Sequence, residues 1–499
     1  MLRSRGVAFR LILLALLLGS LALAGCGGGG GGEEKAAEAG GAQAAAGAAI
    51  APAEALAFVQ ITTDASSAQW AAADALLDRF PGRDKLVQSL LEEIQAEGLD
   101  WETDIKPALG PEIDIVVLPR QGEDPAVVGL TQPADTAKFE KLVMSGDQPG
   151  VLDEVDGWTV FSDDQAAIDA FKAAGGGSLA DSDAYQGALE SLPADSLVSV
   201  YLDGAKLVEL AASGEGAAAF AQLSGVFGQP GPIVFAVSAQ PGGVLLQGSA
   251  SFEGGPQASN FAAELLSDVP ADAVVYVGFS NLTKPLSAAV DAIGGVQPGF
   301  DQQIAQAETF LGLSIRDDLL PLFSKEGALV VAPASPIPAI SLILEVDDEQ
   351  QALATVGKLA ALAGGFAGGG LPKTTDIDGV SAQELSFDQF SVFYAAFDGK
   401  LVITSAREGI SGLGADGPKL ADDPDFQAAR DAAGMPDETA GFLYLDLGDG
   451  IRLIEDYARL AGEGISTEAS ANLEPLGALL VYSAFEDGRY RFSGFLAIE

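Results

Sequence analysis

Short apolar runs of β type and longer stretches of helical spacing follow one another along this chain in a regular order. Val274-Val275-Tyr276-Val277 and Phe442-Leu443-Tyr444-Leu445 are continuous apolar runs that predict strands. A proline-acid element comes before such runs four times: Pro52-Ala53-Glu54, Pro193-Ala194-Asp195, Pro270-Ala271-Asp272 and Pro436-Asp437-Glu438. Proline suits the first residue of a strand, where its missing N–H costs nothing. Gly204 to Ala212 and Ile451 to Ala461 space their apolar residues as helices do. The polar turns Gln240-Pro241-Gly242-Gly243 and Glu486-Asp487-Gly488 predict hairpins. Ala328 to Val346 is interrupted by Pro333, Pro336 and Pro338, and reads as two strands around a loop rather than a membrane span.

The order occurs twice. Asp104-Ile105-Lys106-Pro107-Ala108-Leu109, followed by the run Ile113 to Leu118, returns as Asp318-Leu319-Leu320-Pro321-Leu322-Phe323, then Ala328 to Ala332. Pro107 and Pro321 are 214 apart, and the same offset carries Leu130 onto Leu344, Phe139 onto Leu353 and Leu142 onto Val356. Leu179-Ala180-Asp181 with Tyr185-Gln186 returns as Leu420-Ala421-Asp422 with Phe426-Gln427, now 241 apart. The difference implies about 27 inserted residues in the second half, expected around Gly364 to Gly370 and in an extra strand near Phe390 to Phe397. Each half reads strand, two helices, hairpin, helix, hairpin, two helices, strand, helix, final hairpin. That order predicts an α+β fold of two tandem homologous units, each a largely antiparallel sheet with helices packed on one face. The expected segments are 1–25, 26–50, 51–255 and 256–499, the last two being the repeats, with the join in Glu253-Gly254-Gly255-Pro256.

The N-terminus carries the clearest address. Arg3, Arg5 and Arg10 precede the apolar stretch Leu11 to Ala24, which is too short to span a bilayer comfortably, and Leu23-Ala24-Gly25-Cys26 closes it. This tetrad resembles the lipobox of bacterial lipoproteins. The resemblance implies that residues 1–25 are a cleaved signal peptide and that Cys26 is the lipid attachment site. The protein is then extracytoplasmic and lipid-anchored to the bacterial cell membrane, since two or more acyl chains give stable anchoring. Gly27 to Gly32 and the Ala/Gly/Glu-rich stretch to about Ile50 read as a flexible tether.

Composition removes whole classes of chemistry. The chain has no histidine, and Cys26 is its one cysteine. Ser-His-Asp and Cys-His catalysis, histidine-ligated zinc or haem and structural disulfides are therefore excluded. The net charge of −45 becomes −48 without the three signal arginines, with 23 basic against 71 acidic residues. Such a polyanion is repelled by nucleic acid and reads mainly as a solvated, solubilising surface.

Several chemical patterns reduce to structure. Gly412-Leu413-Gly414-Ala415-Asp416-Gly417 has the dinucleotide spacing, but Pro418 follows where a helix would have to open. The acidic groups Asp181-Ser182-Asp183, Asp376-Ile377-Asp378-Gly379 and Asp446-Leu447-Gly448-Asp449-Gly450 do not complete a calcium loop, and read as caps and turns. Asp181 and Asp422 stand at matching places, as N-caps. A Ser324-Lys325 dyad is disfavoured because neighbouring strand residues face opposite ways. No tryptophan follows Trp70, Trp101 and Trp158 to stack sugars.

The chain also resembles the bacterial domain-of-unknown-function family 3352. The resemblance is carried by Phe58-Val59-Gln60, Pro107-Ala108-Leu109-Gly110-Pro111-Glu112, Gly129-Leu130-Thr131, Leu179-Ala180-Asp181 with Tyr185, and Pro193-Ala194-Asp195 with Val200-Tyr201-Leu202. It implies an extracytoplasmic, often membrane-anchored protein, and carries over no catalytic, metal or cofactor residues. The expected function is a non-enzymatic binding or structural protein, with the membrane and an unidentified protein or envelope component as partners. A solute-binding lipoprotein of a transporter and a carboxylate-dependent hydrolase are the alternatives.

Overall fold

The computed structural model describes residues 44–120, 124–145, 149–212, 228–254, 258–296, 299–367, 370–387, 390–460, 462 and 464–499. Cys26, the apolar run before it and most of the expected tether lie outside the described residues. Among the described residues no helix is long and apolar enough to cross a membrane. The chain divides into two compact units, one holding 44–212, 229–253 and 498–499, the other Gly228 and 254–497.

The first unit is an eight-stranded sheet. Its strands are β1 Ala57–Thr62, β2 Glu112–Leu118, β3 Ala126–Thr131, β4 Val151–Val155, β5 Trp158–Ser162, β6 Val198–Asp203, β7 Gln229–Gln240 and β8 Gly243–Glu253. They lie in the order β4-β5-β3-β2-β1-β6-β7-β8, every pair antiparallel. Helices Ala68–Leu77 and Arg83–Ala96 follow β1, Thr136–Val143 follows β3, Gln165–Ala173 and Asp183–Leu189 follow β5, and Gly204–Ala212 follows β6.

The second unit begins with a two-residue strand β9 Phe261–Ala262, which pairs with β17 Glu438–Thr439 outside the main sheet. Its main strands are β10 Val275–Ser280, β11 Glu326–Ala332, β12 Ala339–Glu345, β13 Lys373–Ile377, β14 Val380–Ser386, β15 Ser391–Phe397, β16 Lys400–Thr404, β18 Gly441–Asp446, β19 Leu476–Glu486 and β20 Arg489–Ile498. They order as β13-β14-β15-β16-β12-β11-β10-β18-β19-β20. Without β13 and β14 this is the order of the first unit. Matched features extend to single bonds. Leu179 N donates to Ala51 O at 2.7 Å, and Leu420 N to Val269 O at 3.0 Å. One turn of π-helix, Trp101–Ile105 or Ile315–Leu319, precedes the proline turn in each unit.

Three expectations change. Helices cover both faces of the first sheet rather than one. Phe58, Val116 and Tyr201 pack with Ile168, Phe171 and Tyr185 on one side. Ile61, Ile113 and Ile115 pack with Leu90, Ile94 and Phe139 on the other. The physical reason lies in β2, where Ile113 to Val116 are all buried, so both faces need a cover. The strands without a counterpart in the first unit are β13 and β14, not the segment near Phe390 to Phe397, which is β15 and occupies the place of β4. Helix Glu349–Ala367, with 19 residues against 8 in Thr136–Val143, takes up more of the insertion. Finally, the tether stops short of Ile50. Ala46–Ala49 is a turn of 3-10 helix, and Ala45, Ala48 and Ala51 are buried in the first core because their small side chains fit closely against the sheet.

Candidate functional site

On the Phe58 face of the first sheet a row of polar side chains crosses three strands. Ser199, Gln60 and Asp114 are register partners on β6, β1 and β2, and Glu112 lies two residues from Asp114 on the same face. Ser199 Oγ donates to Gln60 Oε1 at 3.2 Å, and Gln60 Nε2 donates to Glu112 Oε2 at 2.8 Å. Beside this row is a cavity of about 310 Å³, lined by Gln60, Thr62, Glu112, Tyr185, Asp195 and Ser199 and roofed by residues 44–46. Among the described residues its charged walls are Glu112 and Asp195, both acidic.

Asp114 lies under the roof. Its side chain is fully buried, and neither carboxylate oxygen has a hydrogen-bond partner. A Cβ at Gly47 would overlap Asp114 Oδ2, so only glycine fits there. The Gly47 amide turns to Glu112 Oε1 instead, at 3.3 Å. Burial, reinforced by the adjacent Glu112 charge and opposed by the Gly47 amide, pushes the Asp114 carboxyl well above its ordinary value. Burial also raises the Tyr185 hydroxyl, which stays protonated.

The second unit shows what this place needs for folding alone. In its register Gly278 stands where Gln60 does, with Ala328 for Asp114 and Phe442 for Ser199. A Cβ on Gly278 would meet the Phe442 ring at 2.7 Å, so the ring fills the space above the glycine. Phe442 stacks on Tyr276 at 5.2 Å and is buried. Phe426, in the place of Tyr185, carries no hydroxyl and packs edge-on to Tyr444. Of the row Ser199, Gln60, Asp114 and Glu112, Glu112 alone keeps its chemistry, in Glu326, which accepts from Glu264 N at 3.0 Å and Leu265 N at 3.1 Å. A polar cavity in one unit thus corresponds to an aromatic plug in the other.

The residues weighed from sequence fall elsewhere. Ser182 and Asp423, not Asp181 and Asp422, cap the matched helices, because the aspartates end a 3-10 turn one residue earlier. Asp376 accepts from Gly379 N in the β13–β14 turn, and Asp446 accepts from Asp449 N at the start of a helix. Gly412 is the C-cap of helix Glu408–Ser411. Lys325 pairs with Asp347, while Ser324 Oγ turns to Pro321 O. Trp70 and Trp101 line a more apolar cavity of about 420 Å³ with Leu109 and Pro111. Among the described residues no three acids are gathered as a metal site. In the sequence Gln60 and Glu112 stand out only as carriers of the family resemblance, and Tyr185 through that resemblance and the internal repeat. Asp114 does not stand out, although two acids at alternate positions of the apolar run Glu112 to Leu118 mark inward-facing charge.

The solved structures similar to this chain include two crystal forms of TP0453. Crystal form III is 15% identical with a TM-score of 0.23, covering 48% of this chain and 80% of its own. Crystal form I is 15% identical with a TM-score of 0.24, covering 46% and 78%. No curated protein matches the chain. The family model described as a protein of unknown function, DUF3352, matches residues 154–497, from the β4–β5 hairpin to the last strand, and the chain belongs to that family.

Proposed function

We propose that this protein is an extracytoplasmic lipoprotein of the bacterial cell membrane, anchored through lipid on Cys26, and that its first unit binds a small polar cation in the Glu112 cavity. The two units are read as products of an internal duplication. One observation carries the binding role: the place that Phe442 fills in the second unit is left as an acid-lined cavity in the first. Convergent polar groups around a cavity of this size suit a small ligand, and the acidic walls select positive charge. Binding rather than catalysis is favoured because the chain has no histidine and Asp114 is shut away from any reacting atom. The carboxylate-hydrolase alternative draws on Glu112 and Asp114 lying together in unlike surroundings, and would need Asp114 uncovered. Against a transporter's solute-binding protein stands the antiparallel pairing of both sheets. The overall charge of −45 argues against nucleic acid, and the expected partner is an unidentified protein or envelope component.

Two experiments test this. Cys26→Ser should move the protein from the membrane to the soluble fraction and abolish labelled-palmitate incorporation; sedimentation with membrane would refute the anchor. On that soluble variant, calorimetric titration should show putrescine binding, with glucose and succinate silent. Glu112→Gln should weaken putrescine at least tenfold and Asp437→Asn, at an exposed acid, should not. Equal effects of the two would mean diffuse attraction to the acidic surface, and the cavity would lose its role.

A further inference from the structure

We propose that residues 44–50 form a displaceable strap over the Glu112 cavity, closed when the Asp114 carboxyl is neutral and released when it ionises. The proposal concerns regulation of the cavity and rests on its reading as a binding site. Three observations carry it.

The strap is joined loosely at the point that matters. Beyond it the chain is pinned, since Ala51 O accepts from Leu179 N at 2.7 Å and Ala53 N donates to Gly177 O at 3.0 Å. Within it Ala45 and Ala48 pack in the core and the Ala45 backbone bonds the Tyr185 hydroxyl, but over the carboxylates Gly47 N reaches Glu112 Oε1 only at 3.3 Å, while the matching turn Glu264–Ser267 of the second unit places two amides on Glu326 at 3.0 and 3.1 Å.

The strap also rests on a group that resists being covered. Asp114 has no partner for either oxygen, and Gly47 packs directly on it. A neutral carboxyl tolerates such a place; an ionised one requires water or a cation. Apart from the Gly47 amide, whose effect is smaller than those of burial and Glu112, the groups facing it do not relieve a charge. Glu112 on its own strand is acidic, Tyr185 opposite keeps its proton, and the register neighbours on β1 and β3 are Gln60 and Leu130.

The third observation comes from the second unit, where the positions of Gly47 and Asp114 hold Leu265 and Ala328, both fully buried. An apolar pair therefore suffices to seat this turn. The glycine-carboxylate pair exchanges that tight seat for one that depends on protonation.

The sign follows from the burial. The closed state holds the Asp114 proton to higher pH than the open state does, so closure is strongest in acid and weakens as pH rises through the raised value. Opening uncovers the cavity roof, because Ala44, Ala45 and Ala46 line it.

The test uses the Cys26→Ser protein with Ala49→Cys, an exposed strap position off the cavity wall, carrying a nitroxide spin label. Its electron paramagnetic resonance spectrum reports the mobile fraction of the strap between pH 4 and 9. That fraction should rise with pH at least fivefold in the parent. With Asp114→Asn it should stay low throughout. The double variant Gly47→Leu with Asp114→Ala, which installs the second unit's pair, should also stay low and keep its fold by circular dichroism. A parent strap immobile at every pH, or a pH response that survives in both variants, overturns the strap. Putrescine titration separates the two readings. Affinity that follows the mobile fraction supports regulation, and affinity independent of it overturns the regulatory role. If putrescine binds at no pH, the cavity reading fails and the label alone decides the strap.

Discussion

Glu326 and Asp114 are carboxylates placed where carboxylates are expensive, and each makes stability depend on pH. Glu326 is buried, and burial outweighs the two amides it accepts, pushing its carboxyl from 4.5 to about 7. The folded chain therefore holds this proton over a range where the unfolded chain has lost it. The stabilising effect is complete below pH 4.5, falls as pH rises to about 7, and is absent above. The full change corresponds to about 3 kcal/mol. Glu326→Gln should flatten the urea midpoint of the second unit's unfolding between pH 4.5 and 7, relative to the parent. Parallel curves for parent and variant would show that the carboxyl is ionised throughout. The two acids in Glu112-Ile113-Asp114-Ile115 are visible in the sequence, yet 71 acids surround them. What singles Asp114 out is the comparison with Glu326-Gly327-Ala328 at offset 214, where the first acid persists and the second does not. That comparison becomes decisive only with the register, which shows both positions on one face beneath a turn.

At the scale of elements, four hairpins turn on Asp-Gly pairs with both residues at positive φ: Asp156-Gly157, Asp378-Gly379, Asp398-Gly399 and Asp487-Gly488. These are type I′ turns, whose twist matches that of the strands they join. Gly399, at φ +71, should not tolerate a side chain well, so Gly399→Ala is expected to cost about 1 kcal/mol in thermal unfolding. Gly365 lies in a helix with open space where its Cβ would be, and Gly365→Ala should instead stabilise by about 0.5 to 1 kcal/mol. Equal effects of the two substitutions would contradict the backbone assignment. The same turns explain where the sequence reading of the insertion went astray. A change of offset from 214 to 241 measures its size, but not which hairpin is new. Asp156-Gly157 and Asp398-Gly399, at offset 242, match β15–β16 to β4–β5, leaving β13–β14 without a counterpart in the first unit. The order of strands and helices was legible because periodicity and punctuation are local. Coverage of both sheet faces was not, because a continuous apolar run does not say how many layers it meets.

For the whole molecule the dominant physical fact is charge. A net −45 without a disulfide leaves packing to oppose self-repulsion. Screening reaches about 10 Å at 0.1 M salt, so sodium chloride should raise the melting temperature progressively from low ionic strength. A dedicated calcium site would behave otherwise, stabilising by mass action and saturating near its own dissociation constant. Two of the acidic groups that drew attention in the sequence are engaged with backbone amides, Asp376 with Gly379 N and Asp446 with Asp449 N. Asp378 is the first residue of a turn, and Asp449 pairs with Arg452. Carboxylates committed to capping are poorly arranged to converge on an ion that takes six to eight oxygens. Calcium and sodium chlorides matched for ionic strength should therefore raise the melting temperature by similar amounts, calcium slightly more through diffuse attraction. A shift of several degrees at micromolar calcium, absent with sodium, would refute this and make Asp376, Asp378, Asp446 and Asp449 the first residues to replace. Loss of that shift in Glu112→Gln alone would place the ion in the cavity of the first unit instead.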